Sequence, residues 1–119
     1  MQAKVITLTL LAAALIVAVP ATAAPTHQRA KTTTITVTMT EFKFKLAKSS
    51  APKGTVVFKV ANKGQVGHDF KINGKKTPLV APGKSASLTI KFAKTGKFPY
   101  LCTVPGHAAS GMKGTFTVK

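Results

Sequence analysis

The chain has 119 residues, 45% of them hydrophobic, which suits one ordinary globular core and leaves no room for two. A formal charge of +16 rests on 18 basic residues against two acids, Glu41 and Asp69, while a single cysteine rules out a disulfide framework. Such a cationic excess normally points to nucleic acid or an anionic surface. Here every basic residue but Arg29 is a lysine, and the lysines are spread along the chain, commonly at alternate positions as in Phe42-Lys43-Phe44-Lys45. Solvent-facing lysines on strands discourage edge-to-edge association, so the charge is read as a solvated coat and nucleic acid is not expected as a partner.

At the N-terminus Lys4 supplies a short positive region, Val5 to Val19 is almost wholly apolar, and Ala21-Thr22-Ala23 matches a processing site. Residues 1–23 are therefore expected to be a signal peptide cut after Ala23, and export to a periplasm or the extracytoplasmic face of the envelope follows. A retained anchor is the competing reading. An apolar run carrying Thr7 and Thr9 falls short of the roughly 20 residues that a membrane helix needs. Cleavage removes Lys4 and takes the charge from +16 to +15. Residues 24–32 are polar and aperiodic, a flexible lead-in in which His27 is expected to be solvated.

From residue 33 to residue 119 the pattern is one of short strands. Ile35, Val37 and Met39 alternate, and the parity shifts near Thr40-Glu41 to Phe42, Phe44 and Leu46, which suggests one strand with a bulge or bend. Val56, Phe58 and Val60 share the next face. His68, Phe70 and Ile72 share another, before the tight-turn dipeptide Asn73-Gly74. Ala86, Leu88, Ile90 and Phe92 follow Pro82-Gly83, then Phe98, Tyr100 and Cys102, then Phe116 and Val118. Pro99 has no N–H for a ladder and is expected at an unpaired or edge position. No segment holds a period of 3.6. The expectation is an all-β Greek-key β-sandwich of about seven or eight short strands, preferred over a small barrel.

The segment YLCTVPGHAASGMKG carries the chemistry. Cys102 is in phase with the inward face, His107 follows Pro105-Gly106, and Met112 follows Gly111, so the loop doubles back twice and returns each donor towards the thiol. His68 is the other histidine of the domain and stands beside the Gly64–Gly67 loop. A buried inert thiol is the commonest fate of a free cysteine. A thiolate, two imidazoles and a thioether, however, suit one type 1 copper ion better than zinc, which favours several cysteines and does not usually take methionine. Met112 as core filler is the bland alternative for the fourth donor, and His68 as a satisfied histidine at a loop edge is that for the first. Met39 and Tyr100 are read as packing residues.

The run Tyr100-x-Cys102-x-x-Pro105-Gly106-His107-x-x-x-Gly111-Met112-x-Gly114, with Gly67-His68 upstream, resembles the cupredoxin or type 1 blue copper family over roughly residues 33–119. The Cys-x4-His-x4-Met spacing is similar to that of rusticyanin and sulfocyanin and longer than the Cys-x2-His of plastocyanin. The resemblance implies His68, Cys102 and His107 as strong ligands of copper and Met112 as the axial one. The family commonly has an asparagine after the first histidine whose side chain bridges to the residue after the cysteine. This chain has Asp69 and Thr103 at those places, and a carboxylate so near the metal is expected to favour Cu(II).

The function that follows is single-electron shuttling between redox partners, without enzymatic chemistry. His107 between Pro105 and Ala108-Ala109 is the expected route to the metal. The partners are expected to be redox proteins with acidic surfaces, an anionic membrane surface is a further candidate, and the protein is expected to be a monomer. The alternatives are an envelope copper carrier or buffer, which would rely on exposed methionine- or histidine-rich clusters, the copper domain of a larger oxidase, and a metal-free sandwich.

Overall fold

The structure, a computed structural model, describes residues 12–23 and 31–119. Lys4, the first half of the apolar run and the lead-in around His27 lie outside the described residues. Residues 12–23 have no regular secondary structure and are exposed. No helix among the described residues is long and apolar enough to cross a membrane.

Nine strands form two sheets: β1 (Thr32–Thr40), β2 (Lys43–Leu46), β3 (Ser50–Ala51), β4 (Gly54–Asn62), β5 (Lys71–Ile72), β6 (Lys75–Lys76), β7 (Ser85–Phe92), β8 (Gly96–Leu101) and β9 (Lys113–Val118). One sheet runs β2-β1-β4-β7 and the other β3-β9-β8-β5-β6, so the chain crosses repeatedly between them. Parallel pairing of β1 with β4 and of β3 with β9 makes both sheets mixed. The period-two pattern survives intact in β4, where Val56, Phe58 and Val60 are all fully buried.

The core closes between the sheets on aromatic rings. Phe58 of β4 lies 5.1 Å from Phe70 and 5.3 Å from Phe116 of β9, ring centre to ring centre. Phe92 of β7 meets Phe116 at 5.8 Å. Phe44 of β2 stands edge-on to Phe70 at 5.3 Å and to Tyr100 of β8 at 5.6 Å. Offset and edge-to-face pairs of this kind add to the stabilisation from area burial. Met39 is fully buried, as its phase requires.

Two expectations are corrected. The parity shift at Thr40-Glu41 is a tight turn, not a bulge: β1 and β2 are separate antiparallel strands paired from Thr40–Lys43 to Val37–Leu46. Phe42 sits in that turn and is 37% exposed instead of inward, because the reversal of chain direction falls on it. The segment from His68 to Ile72 is a ladder strand only at Lys71–Ile72. Its first half pairs with residues 77–80 instead, through His68 N–H to the Val80 carbonyl (3.1 Å), Val80 N–H to the His68 carbonyl (2.7 Å) and Thr77 N–H to the Phe70 carbonyl (3.0 Å). Asp69 is thereby turned inward, where strict alternation would have put it in solvent.

Local signals elsewhere hold. Asn73 and Gly74 take φ of 51° and 75°, the left-handed pair that a two-residue hairpin turn needs, and join β5 to β6. Pro99 departs from its expectation in part: it pairs with Thr115 of β9 in the interior strand β8, and only its other side is free of a partner, because β5 stops at Ile72, opposite Tyr100.

Candidate metal centre

The site sits where β8 ends and three loops meet. Cys102 is the first residue after β8, and its backbone N–H donates to the Met112 carbonyl at 3.1 Å, just before β9 begins. Residues 104–111 form a compact turn between them. In it His107 N–H donates to the Val104 carbonyl, Ser110 N–H to the Gly106 carbonyl, and Met112 N–H to the His107 carbonyl, each at 3.1 Å. The loop thus ties Cys102, His107 and Met112 to one another through the backbone. Cys102 and Met112 are buried and His107 is half-buried.

His68 comes from the loop after β4. It is fully buried, and its Nδ1 faces His107 Nδ1 at 3.1 Å. His107 Nδ1 lies 3.6 Å from Cys102 Sγ. Ligand atoms of His68, Cys102 and His107 all fall within 4.8 Å of one another. Two ring nitrogens and a sulfur converging at this range match the donor set of a tetrahedral or trigonal soft-metal site. All three histidine and cysteine positions expected from the sequence are brought together. Met112 is tied to Cys102 and His107 by its backbone bonds, and its side chain is buried.

Burial pushes the Cys102 thiol's pKa up, while the N–H groups of Asp69 and Val104 pull it the other way and the Asp69 carboxylate adds to the rise. A metal that takes this sulfur as thiolate must therefore displace a proton.

Asp69 bridges the loop that carries His68 to the one that carries Cys102. One carboxylate oxygen accepts from Thr103 N–H at 2.6 Å and the other accepts the Thr103 hydroxyl. Lys76 Nζ stands 4.0 Å from the same carboxylate. The asparagine-type bridge that the sequence resemblance implies is thus replaced by a carboxylate bridge, with its charge partly offset by a lysine.

Two features were not apparent in the sequence. Glu41, in the β1–β2 turn, directs Oε1 at the Gln65 N–H (2.7 Å), the Val66 N–H (3.0 Å) and His68 Nε2 (3.1 Å). The amides of Val66 and Gln65, helped by the imidazole, hold its carboxyl down to about 2. Asn62, at the end of β4, is the second. Its side-chain amide donates to the Val66 carbonyl (2.7 Å) and the Val80 carbonyl (2.8 Å), and its oxygen accepts Gly64 N–H (2.8 Å). It shapes both segments that flank His68. Replacing Asn62 by Ala is expected to destabilise the metal-free protein by about 2–4 kcal/mol, since a buried backbone group left without a partner costs about 1–3 kcal/mol. Urea denaturation of the two proteins measures it.

Residues 9–118 match the Cupredoxin-like domain family. The chain belongs to that family. Among curated proteins, this cupredoxin is 42% identical over 53 residues to the copper-resistant cuproprotein CopI of Pseudomonas aeruginosa, covering 44% of this chain and 29% of that protein. It is 45% identical over 42 residues to auracyanin-B of Chloroflexus aurantiacus, covering 35% of this chain and 18% of that one. These matches span less than a third of either relative. Among solved structures, reduced auracyanin from Roseiflexus castenholzii superposes with a TM-score of 0.65 at 24% identity, over 73% of this chain and 97% of that one. Auracyanin B gives 0.64 at 24% identity, over 77% and 91%. At that identity the likeness speaks for the fold, and the sandwich expected from the strand pattern is the cupredoxin one.

Proposed function

We propose that this cupredoxin is an exported carrier of single electrons whose one copper ion is held by His68, Cys102, His107 and Met112. The observation that supports it best is the enclosed cluster itself: Cys102 at 1% exposure and His68 and Met112 at 0%, with His107 alone reaching towards the surface. When bound, copper supplies a Cu(I)/Cu(II) couple. Four protein donors leave little room for a substrate molecule, which separates this reading from an oxidase. The backbone bonds linking Cys102, His107 and Met112 hold the donors in one arrangement, so that a change of one charge is met with little rearrangement.

His107 offers the route. The Phe42 ring stands edge-on to it at 5.0 Å, and Phe42, Val66 and Leu79, at 37%, 44% and 66% exposure, are the exposed large apolar side chains of the sandwich. All three lie around the ligand loops: Val66 is two residues before His68, and the Leu79 side chain covers Gly67. A redox protein with an acidic surface fits the lysine coat around this apolar end, with association rates that fall as salt rises. The apolar run Val5 to Val19 supports export to the extracytoplasmic side, where an anionic membrane surface would attract the same lysines.

Adding Cu(II) to the domain from residue 24 onward is expected to give an intense visible thiolate-to-copper band and a reversible one-electron potential. Absence of the band sinks the reading. A second reading, an envelope copper carrier or buffer, is favoured by the likeness to a copper-resistant cuproprotein. Rapid loss of copper to a weak chelator in both oxidation states would select it.

A further inference from the structure

We infer that Glu41 is a positioning residue of the metal centre: its carboxylate holds His68 through Nε2 and keeps the other ring nitrogen, Nδ1, unprotonated and aimed at the donor cluster, biasing the site towards Cu(II). The inference rests on the ligand set proposed above.

Glu41 is seated by design of the backbone around it. Its partners are 24 to 27 residues away in the chain, and all three donate to the same oxygen. A side chain at Gly64 would overlap the carboxylate, so the glycine leaves the space that Glu41 fills. Asn62, 1% exposed, holds that loop open by taking Gly64 N–H and tethering the Val66 carbonyl. The charge is not spent on the lysine coat. Among the described residues the ion-pair partner of Glu41 is His68, and no lysine Nζ lies within reach of it.

An ionised carboxylate can only accept, so the proton between it and His68 belongs to Nε2. Neutral imidazole has one proton, which leaves the Nδ1 lone pair free, 3.1 Å from His107 Nδ1. A carboxylate behind a ligating imidazole fixes ring orientation and raises its basicity, and loss of such a partner typically costs about 10–100-fold in metal affinity. Because the added negative character is felt more by the divalent ion, Cu(II) affinity should suffer more than Cu(I) affinity.

The test compares the copper-loaded wild type with Glu41→Gln and Gly64→Ala. The first keeps the shape and removes the charge, and the second displaces the carboxylate without changing it. Both are expected to stay folded and blue, to lose Cu(II) affinity about 10–100-fold and to shift the potential upward. Each tenfold loss of Cu(II) over Cu(I) affinity corresponds to about 59 mV. In the metal-free wild type, nitrogen NMR should find the His68 proton on Nε2, and Glu41→Gln should weaken that preference. A lower denaturation midpoint with unchanged potential and tautomer, in either variant, overturns the inference and leaves Glu41 a structural tether. A wild type with no blue band defeats the ligand set instead.

Discussion

Cys102→Ala is expected to abolish the intense visible band of the Cu(II) protein and to weaken copper binding by more than about 100-fold, while the metal-free fold persists. The magnitude follows from what is lost: outer partners of a ligand already cost about 10–100-fold, and Cys102 is the sole thiolate the chain can offer. His68 and His107 remain 3.1 Å apart and still take Cu(II) weakly, as a nitrogen-ligated species without the sulfur charge-transfer band. The fold survives because Cys102 contributes one sulfur at the rim of the core, and a typical point substitution costs about 1 kcal/mol. Visible absorption and copper competition measure the two losses, and circular dichroism checks the fold. A variant that keeps the band would remove Cys102 from the site.

Phe58→Ala is expected to destabilise the metal-free protein by about 3–5 kcal/mol, as burial of an aromatic ring is lost and a cavity opens. Phe58 is fully buried and packs on Phe70, Phe92 and Phe116, at 5.1, 6.5 and 5.3 Å, so both sheets lose a shared neighbour at once. Domains of this size are stable by about 5–15 kcal/mol in total, which makes the loss roughly a fifth or more of what holds the sandwich together. Phe42→Ala serves as the contrast. That ring touches His107 and is exposed at the turn, so its removal should leave the denaturation midpoint nearly unchanged. Equal losses from the two substitutions would contradict this account of the core.

The two acids of the chain take on a common meaning in this setting. With 18 basic residues spread along the sequence, Glu41 and Asp69 are the only side-chain carboxylates, and both are placed against the loops that carry His68 and Cys102. Asp69 ties the loop carrying His68 to the residue after Cys102, and Glu41 ties it to the β1–β2 turn. Neither serves the lysine coat, apart from Lys76 at 4.0 Å from Asp69.

The features legible in the sequence were those written locally. Alternation marked β4, β7 and β9 because the pleat repeats every two residues, and Asn73-Gly74 marked its turn because the left-handed pair of dihedrals selects those residues. Cys102, His107 and Met112 were legible together because one loop of eleven residues carries all three, closed by its own backbone bonds. The turn at Glu41 looked like a bulge because both shift the parity by one, and only the pairing of Val37 with Leu46 tells them apart. Tertiary structure alone decided what His68 faces. Its partners Glu41 and His107 are 27 and 39 residues away, and no periodicity reports which side chains a sandwich brings together across its two sheets. The sequence by itself determined the strand faces and the soft donors; the meeting of loops from opposite sheets decided that a buried imidazole would have a carboxylate behind it and a thiol in front.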